Sequence, residues 1–219
     1  MQFSNPLDRI MQRENFTVAD MSKEEALKSV GLDECRYALC TYHPVTMEDG
    51  GVDDLVEQFL NAIKALPELE FIVTKSNADQ GGARINELLD AADRKISNLH
   101  VYTSLGIRRY LSLMKFAEFV LGNSSSGIIE TPAFRVPTVN IGNRQKGRLQ
   151  SESIINCDPD MDSIISAVKK ALSNEHRMVC AKVVSPYGDG NAGKKIAKKS
   201  IEVVMDGSID LKKKFYDLK

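Results

Sequence analysis

Short apolar runs alternate with helix-patterned segments about six times along this chain, joined by connections too long for hairpins. The runs are Tyr37–Tyr42, Phe71–Thr74, Leu99–Tyr102, Phe119–Leu121, Pro137–Ile141 and Ile154–Asn156. Between the first two, Leu55, Phe59, Ala62, Ile63 and Leu66 recur at helical spacing from Asp54 to Leu66, and Pro67 stops the pattern. Asn86–Asp93 belongs to a helix that begins after Gly82, and Tyr110–Ala117, Ile128–Phe134 and Met161–Leu172 read as further helices. Parallel strands need crossovers of this length, so the pattern predicts a doubly wound α/β domain with a mostly parallel sheet.

The two ends of the chain differ from its middle. Residues 1–34 are mixed polar, with one helix start in which Ser22 and Glu25 form a capping box and Gly31 closes the helix. Residues 35–185 hold the alternation. From 186 to 219 the composition changes. The turn Tyr187–Gly193 leads to a Lys-rich helix near 194–204 and a tail with Lys212–Lys214, read as a solvated surface.

Composition excludes several classes. A net charge of −1 and the lack of Trp argue against a nucleic-acid protein. No apolar stretch approaches the roughly 18 residues of a membrane span. The N-terminus has neither a long apolar core nor a cleavage-like site, which argues against a secretory signal. Cys35, Cys40, Cys157 and Cys180 form no C-x-x-C and read as free, mostly core-facing thiols of a reducing cytoplasm. Their spacing does not suit structural zinc.

In parallel sheets ligands bind beyond the carboxyl ends of the strands. Four polar clusters fall just after the strand-like runs. His43 precedes Pro44, which holds it extended, and Thr46 reads as a helix cap. Ser76–Asn77–Ala78–Asp79 follows the second run, with Asn77 or Asp79 as a cap or Asn77 as a ligand donor. Gly81–Gly82 lacks the G-x-G-x-x-G spacing of a dinucleotide site. Gly122–Asn123–Ser124–Ser125–Ser126–Gly127 leads into a helix and offers hydroxyls and N–H groups to an anion. One serine would cap that helix; three flanked by two glycines exceed what capping requires. Glu130 sits in the first turns, where the dipole favours an acid. On a buried helix its carboxylate needs a partner, for which ribose hydroxyls are suited. Arg144 and Arg148 flank Gln145–Lys146–Gly147 after the fifth run, and arginine matches phosphate geometry. A serine nucleophile fits poorly: Gly-x-Ser-x-Gly is met only loosely, and neither His43 nor His100 is paired with a serine by sequence.

These residues carry a family resemblance. Gly122–Glu130, Pro137–Gly142 and Arg144–Arg148 resemble the signature of the hydrolysing UDP-N-acetylglucosamine 2-epimerases. His43–Pro44–Val45–Thr46 and Ser76–Asp79 agree in the same order, and the likeness runs over about residues 20–205. Non-hydrolysing 2-epimerases carry a different polar loop where this chain has Asn140–Arg148.

The resemblance implies two Rossmann-like domains facing a cleft, as in GT-B glycosyltransferases, with this chain similar to the C-terminal, UDP-binding half. Residues 35–185 would be that domain, 1–34 a linker remnant, and 186–219 a crossover helix whose Ile196 and Ile201 lose cover without the other half. It further implies that His43, Asn77, Ser124, Ser125, Glu130 and Arg144 contact UDP. Ser124, Ser125 and Arg144 would hold phosphate, Glu130 would hold the ribose, and His43 would assist departure of UDP. The implied reaction turns UDP-N-acetylglucosamine and water into UDP and N-acetylmannosamine, the first step of sialic acid synthesis. It proceeds by anti elimination and then hydration, without NAD or a metal ion. The C2 acids and bases would come largely from the other half. The chain alone is then expected to be at best a weak UDP binder, and the full-length enzyme a homo-oligomer. The competing expectations are a hydrolysing epimerase of a UDP-2,4-diacetamido sugar, a GT-B glycosyltransferase, and a non-catalytic UDP-binding module.

Overall fold

The computed structural model describes residues 19–45, 51–77, 81–188 and 191–207. Thr46, Asp79 and the lysines at 212–214 lie outside them. The elements are α1 (Lys23–Lys28), β1 (Tyr37–Thr41), α2 (Val52–Lys64), β2 (Glu70–Thr74), α3 (Gly82–Asp93), β3 (Leu99–Tyr102), α4 (Gly106–Phe116), β4 (Phe119–Gly122), α5 (Ser126–Ile129), α6 (Thr131–Phe134), β5 (Thr138–Ile141), β6 (Ile154–Cys157), α7 (Met161–Leu172), α8 (Asn174–Lys182) and α9 (Ala192–Met205).

The six strands form one sheet in the order β3-β2-β1-β4-β5-β6, and every pair is parallel. The order reverses between β1 and β4, which leaves a crevice at their carboxyl ends. β1 is buried along its whole length, as a central strand covered on both faces must be. Ala38 and Cys40 join the core under α2, α3 and α7, whereas Tyr37 and Leu39 join the core under α1 and α4. α2 places Leu55, Val56, Phe59, Ala62 and Ile63 in the first core. Burying side chains of the larger apolar types contributes about 1.5–3 kcal/mol each.

The capping box on α1 is present, with Glu25 N–H donating to Ser22 Oγ and Ser22 N–H to the Glu25 carboxylate. The structure departs from the sequence reading in three places. The helix expected at Ile128–Phe134 is two four-residue pieces, α5 and α6. Pro132 has no N–H to give the preceding turn, and Arg135, at φ 59°, ends the second piece. α4 begins at Gly106, four residues before the expected Tyr110, because Ser104 Oγ accepts the Gly106 N–H. α8 follows α7 directly, capped by Ser173 on the His176 N–H, and was not foreseen.

Glu118, before β4, receives both Arg36 and Arg177. Burial pushes its carboxyl up, but the two guanidiniums outweigh this and hold it below the ordinary value of 4.5. Its contribution is therefore present above pH 4.5 and lost as the carboxylate protonates below it. Glu118→Gln should cost about 1 kcal/mol at neutral pH and flatten the loss of stability on acidification, as read from urea midpoints across the acid range. An acid limb identical to wild type would remove Glu118 from it.

All four cysteines are free; Cys40 and Cys180 are buried, and Cys35 and Cys157 half-buried. Burial pushes every thiol up, that of Cys157 to about 12, so none is poised as a nucleophile. Among the described residues no helix is long and apolar enough to cross a membrane. Nor does any group of three or more His, Cys, Asp or Glu stand ready to hold a metal ion.

Candidate nucleotide site

The loops at the carboxyl ends of β1 to β5 line an open cleft of about 640 Å³, a size that suits a small-molecule ligand. The six residues that the resemblance assigns to UDP all line it. His43 follows β1, Asn77 follows β2, Ser124, Ser125 and Glu130 lie at and beyond the turn from β4 into α5, and Arg144 follows β5. The β3 loop adds Thr103 to Ile107, so the wall runs from an end with Leu105 and Ile107 to a polar end with Arg144.

Side-chain amides hold the loops on either side. Asn123 exchanges two hydrogen bonds with the His43 backbone, at 2.7 and 2.8 Å. Asn86 of α3 does the same for Ser76, taking its N–H at 2.9 Å and giving to its carbonyl at 3.1 Å. Ser76 Oγ then lies 3.0 Å from His43 Nδ1. Thr41 and Thr74, at the ends of β1 and β2, share a hydrogen bond of 2.6 Å. Arg144 Nη1 donates to the Asn123 carbonyl at 3.0 Å.

The serine loop is built differently from the sequence expectation. Ser125 stands at the N-cap of α5 but makes no side-chain capping bond, and Ser124 Oγ takes the Ser126 N–H only at 3.4 Å. Ser124 and Ser125 therefore keep hydroxyls on the cavity wall. Both glycines serve packing: a Cβ on Gly122 would sit 2.1 Å from the Thr41 carbonyl oxygen, and one on Gly127 would sit 2.9 Å from Thr138 Cγ2. Glu130 finds a partner within the protein, since Ser126 Oγ donates to its carboxylate at 2.5 Å. Tyr110 OH donates to Ser126 Oγ at 3.0 Å, and burial pushes that phenol up, which keeps it a neutral donor. This Tyr110–Ser126–Glu130 relay escaped the sequence reading. Only the third serine, unnecessary as a cap, hinted at it.

A second polar cavity of about 340 Å³ lies on the far side of the Arg144 loop. Asn140 and Asn156 line it and are joined at 2.8 Å, together with Lys146 and Arg148. Arg148, which shares a basic loop with Arg144 in the sequence, lines this cavity and not the first.

Comparison with known proteins places this architecture. The family model described as UDP-N-acetylglucosamine 2-epimerase matches residues 5–200. A Campylobacter jejuni protein named GDP/UDP-N,N'-diacetylbacillosamine 2-epimerase (hydrolyzing) is 41% identical over 155 residues, covering 70% of this chain and 39% of its own. A Legionella pneumophila UDP-N,N'-diacetylbacillosamine 2-epimerase (hydrolyzing) is 32% identical over 197 residues, covering 86% and 48%. The fold is that of an S. aureus MnaA–UDP co-structure, with a TM-score of 0.63, 16% identity, and coverage of 90% of this chain and 52% of that one. The chain thus spans less than half the length of these two curated relatives. With the family model matched along the whole of its sheet and every strand-end loop, the chain belongs to the UDP-N-acetylglucosamine 2-epimerase family.

Proposed function

We propose that this chain is the UDP-binding unit of a hydrolysing 2-epimerase acting on a UDP-linked diacetamido sugar. The observation that supports the reading is the convergence of His43, Asn77, Ser124, Ser125, Glu130 and Arg144, from four separate strand ends, on one cavity in a chain of this family. Ser124, Ser125 and Arg144 take the diphosphate, and Glu130, oriented by Ser126, takes the ribose hydroxyls. A base from the other half takes the C2 proton, the C–H electron pair becomes the C1–C2 double bond, and the bond from C1 to the diphosphate oxygen breaks with its electron pair leaving on UDP. Hydroxyl and hydroxyl-bearing donors aimed at the diphosphate stabilise the charge that grows there, and the Arg144 guanidinium adds a full positive charge. His43, fixed by Asn123 and Ser76, assists at that point. Water then adds across the C1–C2 double bond, and the free sugar leaves with inverted configuration at C2.

The domain is read as the C-terminal half of a two-domain GT-B-like protein. α9 supports this, since it buries none of its residues and leaves Ile196, Ile201, Val204 and Met205 exposed, as a helix that crosses to another domain would. The substrate follows the relatives at 41% and 32% identity, both named for diacetylbacillosamine. UDP-N-acetylglucosamine, after which the family model is named, is the second reading.

Product analysis on the whole protein tests both. Given each sugar nucleotide in turn, it should release UDP and free sugar together, with the higher kcat/KM on UDP-N,N'-diacetylbacillosamine. A higher kcat/KM on UDP-N-acetylglucosamine reverses the order. Binding of UDP with no sugar released from either leaves a binding module.

A further inference from the structure

We propose that Asn123 is a positioning residue that sets His43 and Arg144 toward the ligand's diphosphate, an inference that rests on the UDP-binding reading above. Asn123 stands between the end of β4 and Ser124 and is 0% exposed. Its side chain accepts the His43 N–H at 2.7 Å and donates to the His43 carbonyl at 2.8 Å. Its own carbonyl accepts Arg144 Nη1 at 3.0 Å and Gln145 Nε2 at 2.7 Å. One residue thereby ties together the loops that follow β1, β4 and β5. The clamp on His43 needs one donor and one acceptor on a short planar group. Asn has both, Asp has no donor, and Leu has neither.

Arg144 is exposed and long, so without a tether it would bring rotamer freedom to the site and lose it on binding. The Asn123 carbonyl takes one N–H of the guanidinium and so fixes the direction in which its fork points.

Gln145 carries the second line of evidence. It is 1% exposed, and its Oε1 has no hydrogen-bond partner while its Nε2 holds Asn123. A buried acceptor left unsatisfied lowers stability, so an apolar residue of similar volume would suit the packing better. The amide is explained by what its N–H does for Asn123.

The test titrates UDP and uridine into the whole protein, into its Asn123→Ala and Gln145→Leu variants, and into both variants made in a His43→Ala/Arg144→Ala background, with a thermal midpoint for each. Asn123→Ala should raise the Kd for UDP about tenfold or more and that for uridine less than about threefold. Gln145→Leu should raise the Kd for UDP about threefold without lowering Tm, a split that a merely architectural residue would not produce. In the doubly substituted background both variants should change UDP affinity less than about twofold, because the groups they act through are gone.

Equal losses for UDP and uridine, or the full loss persisting in that background, overturn the inference, as does Gln145→Leu binding UDP like the wild type. Should Asn123→Ala fail to fold, Gln145→Leu in the two backgrounds decides alone. A wild-type whole protein that takes up no UDP overturns the functional reading and this inference with it. A wild-type whole protein that binds UDP, with variants that behave alike, overturns this inference only.

Discussion

Arg144→Ala should raise the dissociation constant for UDP about 10–100-fold and that for uridine less than about twofold. The guanidinium lines the polar end of the cavity, aimed by the Asn123 carbonyl, whereas Leu105 and Ile107 line the other end. A hydrogen bond to a charged group is worth about 1.5–3 kcal/mol, and a phosphate offers Arg144 more than one acceptor. Uridine lacks that anion and has nothing to lose. The difference between the two ligands should shrink as salt is raised, since an exposed cation is screened. Calorimetric titration of both ligands at two ionic strengths reads this directly. Equal losses for uridine and UDP would mean that Arg144 does not meet phosphate.

Gly122→Ala should lower unfolding free energy by more than about 3 kcal/mol and remove UDP binding together with the fold. Two independent constraints act at this residue. Its φ is 135°, where side chains are rarely tolerated, and a Cβ would stand 2.1 Å from the Thr41 carbonyl oxygen. That oxygen belongs to the strand paired with β4 and also accepts the Asn123 N–H, so it cannot simply move away. Relief would have to come from separating β1 from β4, the pair that carries the crevice. Urea denaturation gives the number. A variant within about 1 kcal/mol of wild type would show that this backbone can relax.

The alternation of short apolar runs with helical spacing was enough to name a parallel doubly wound sheet, because a fully parallel sheet leaves no other way to cover both faces. The six strands stand where the apolar runs stand, within about a residue or two at each end. The break at Pro132 was readable in principle, but Ile128, Ile129 and Phe134 carry a helical pattern across it and obscured the missing N–H. That the six candidate residues share one cavity was legible because their loops follow β1, β2, β4 and β5, and in a parallel sheet the segments that follow strands share one rim. Asn86, Asn123 and Gln145 were not legible as structural clamps. Their partners are backbone groups up to 80 residues away, and side chain to backbone pairing over that distance leaves no local pattern. The separation of Arg148 from Arg144 was hidden for a related reason. Four residues apart in a loop says nothing about which wall each one faces.

The pairing of Thr41 with Gly122 joins two strands that lie far apart along the chain, and His43 is clamped by Asn123 across the same divide. Closing so long an interval is entropically slow, so contact order places this event late in refolding. Nucleotide capture during refolding should then rise in the same kinetic phase as the final protection of β1 and β4 amides from exchange, never ahead of it. Competence to bind is in this sense a clock for completion of the sheet's centre.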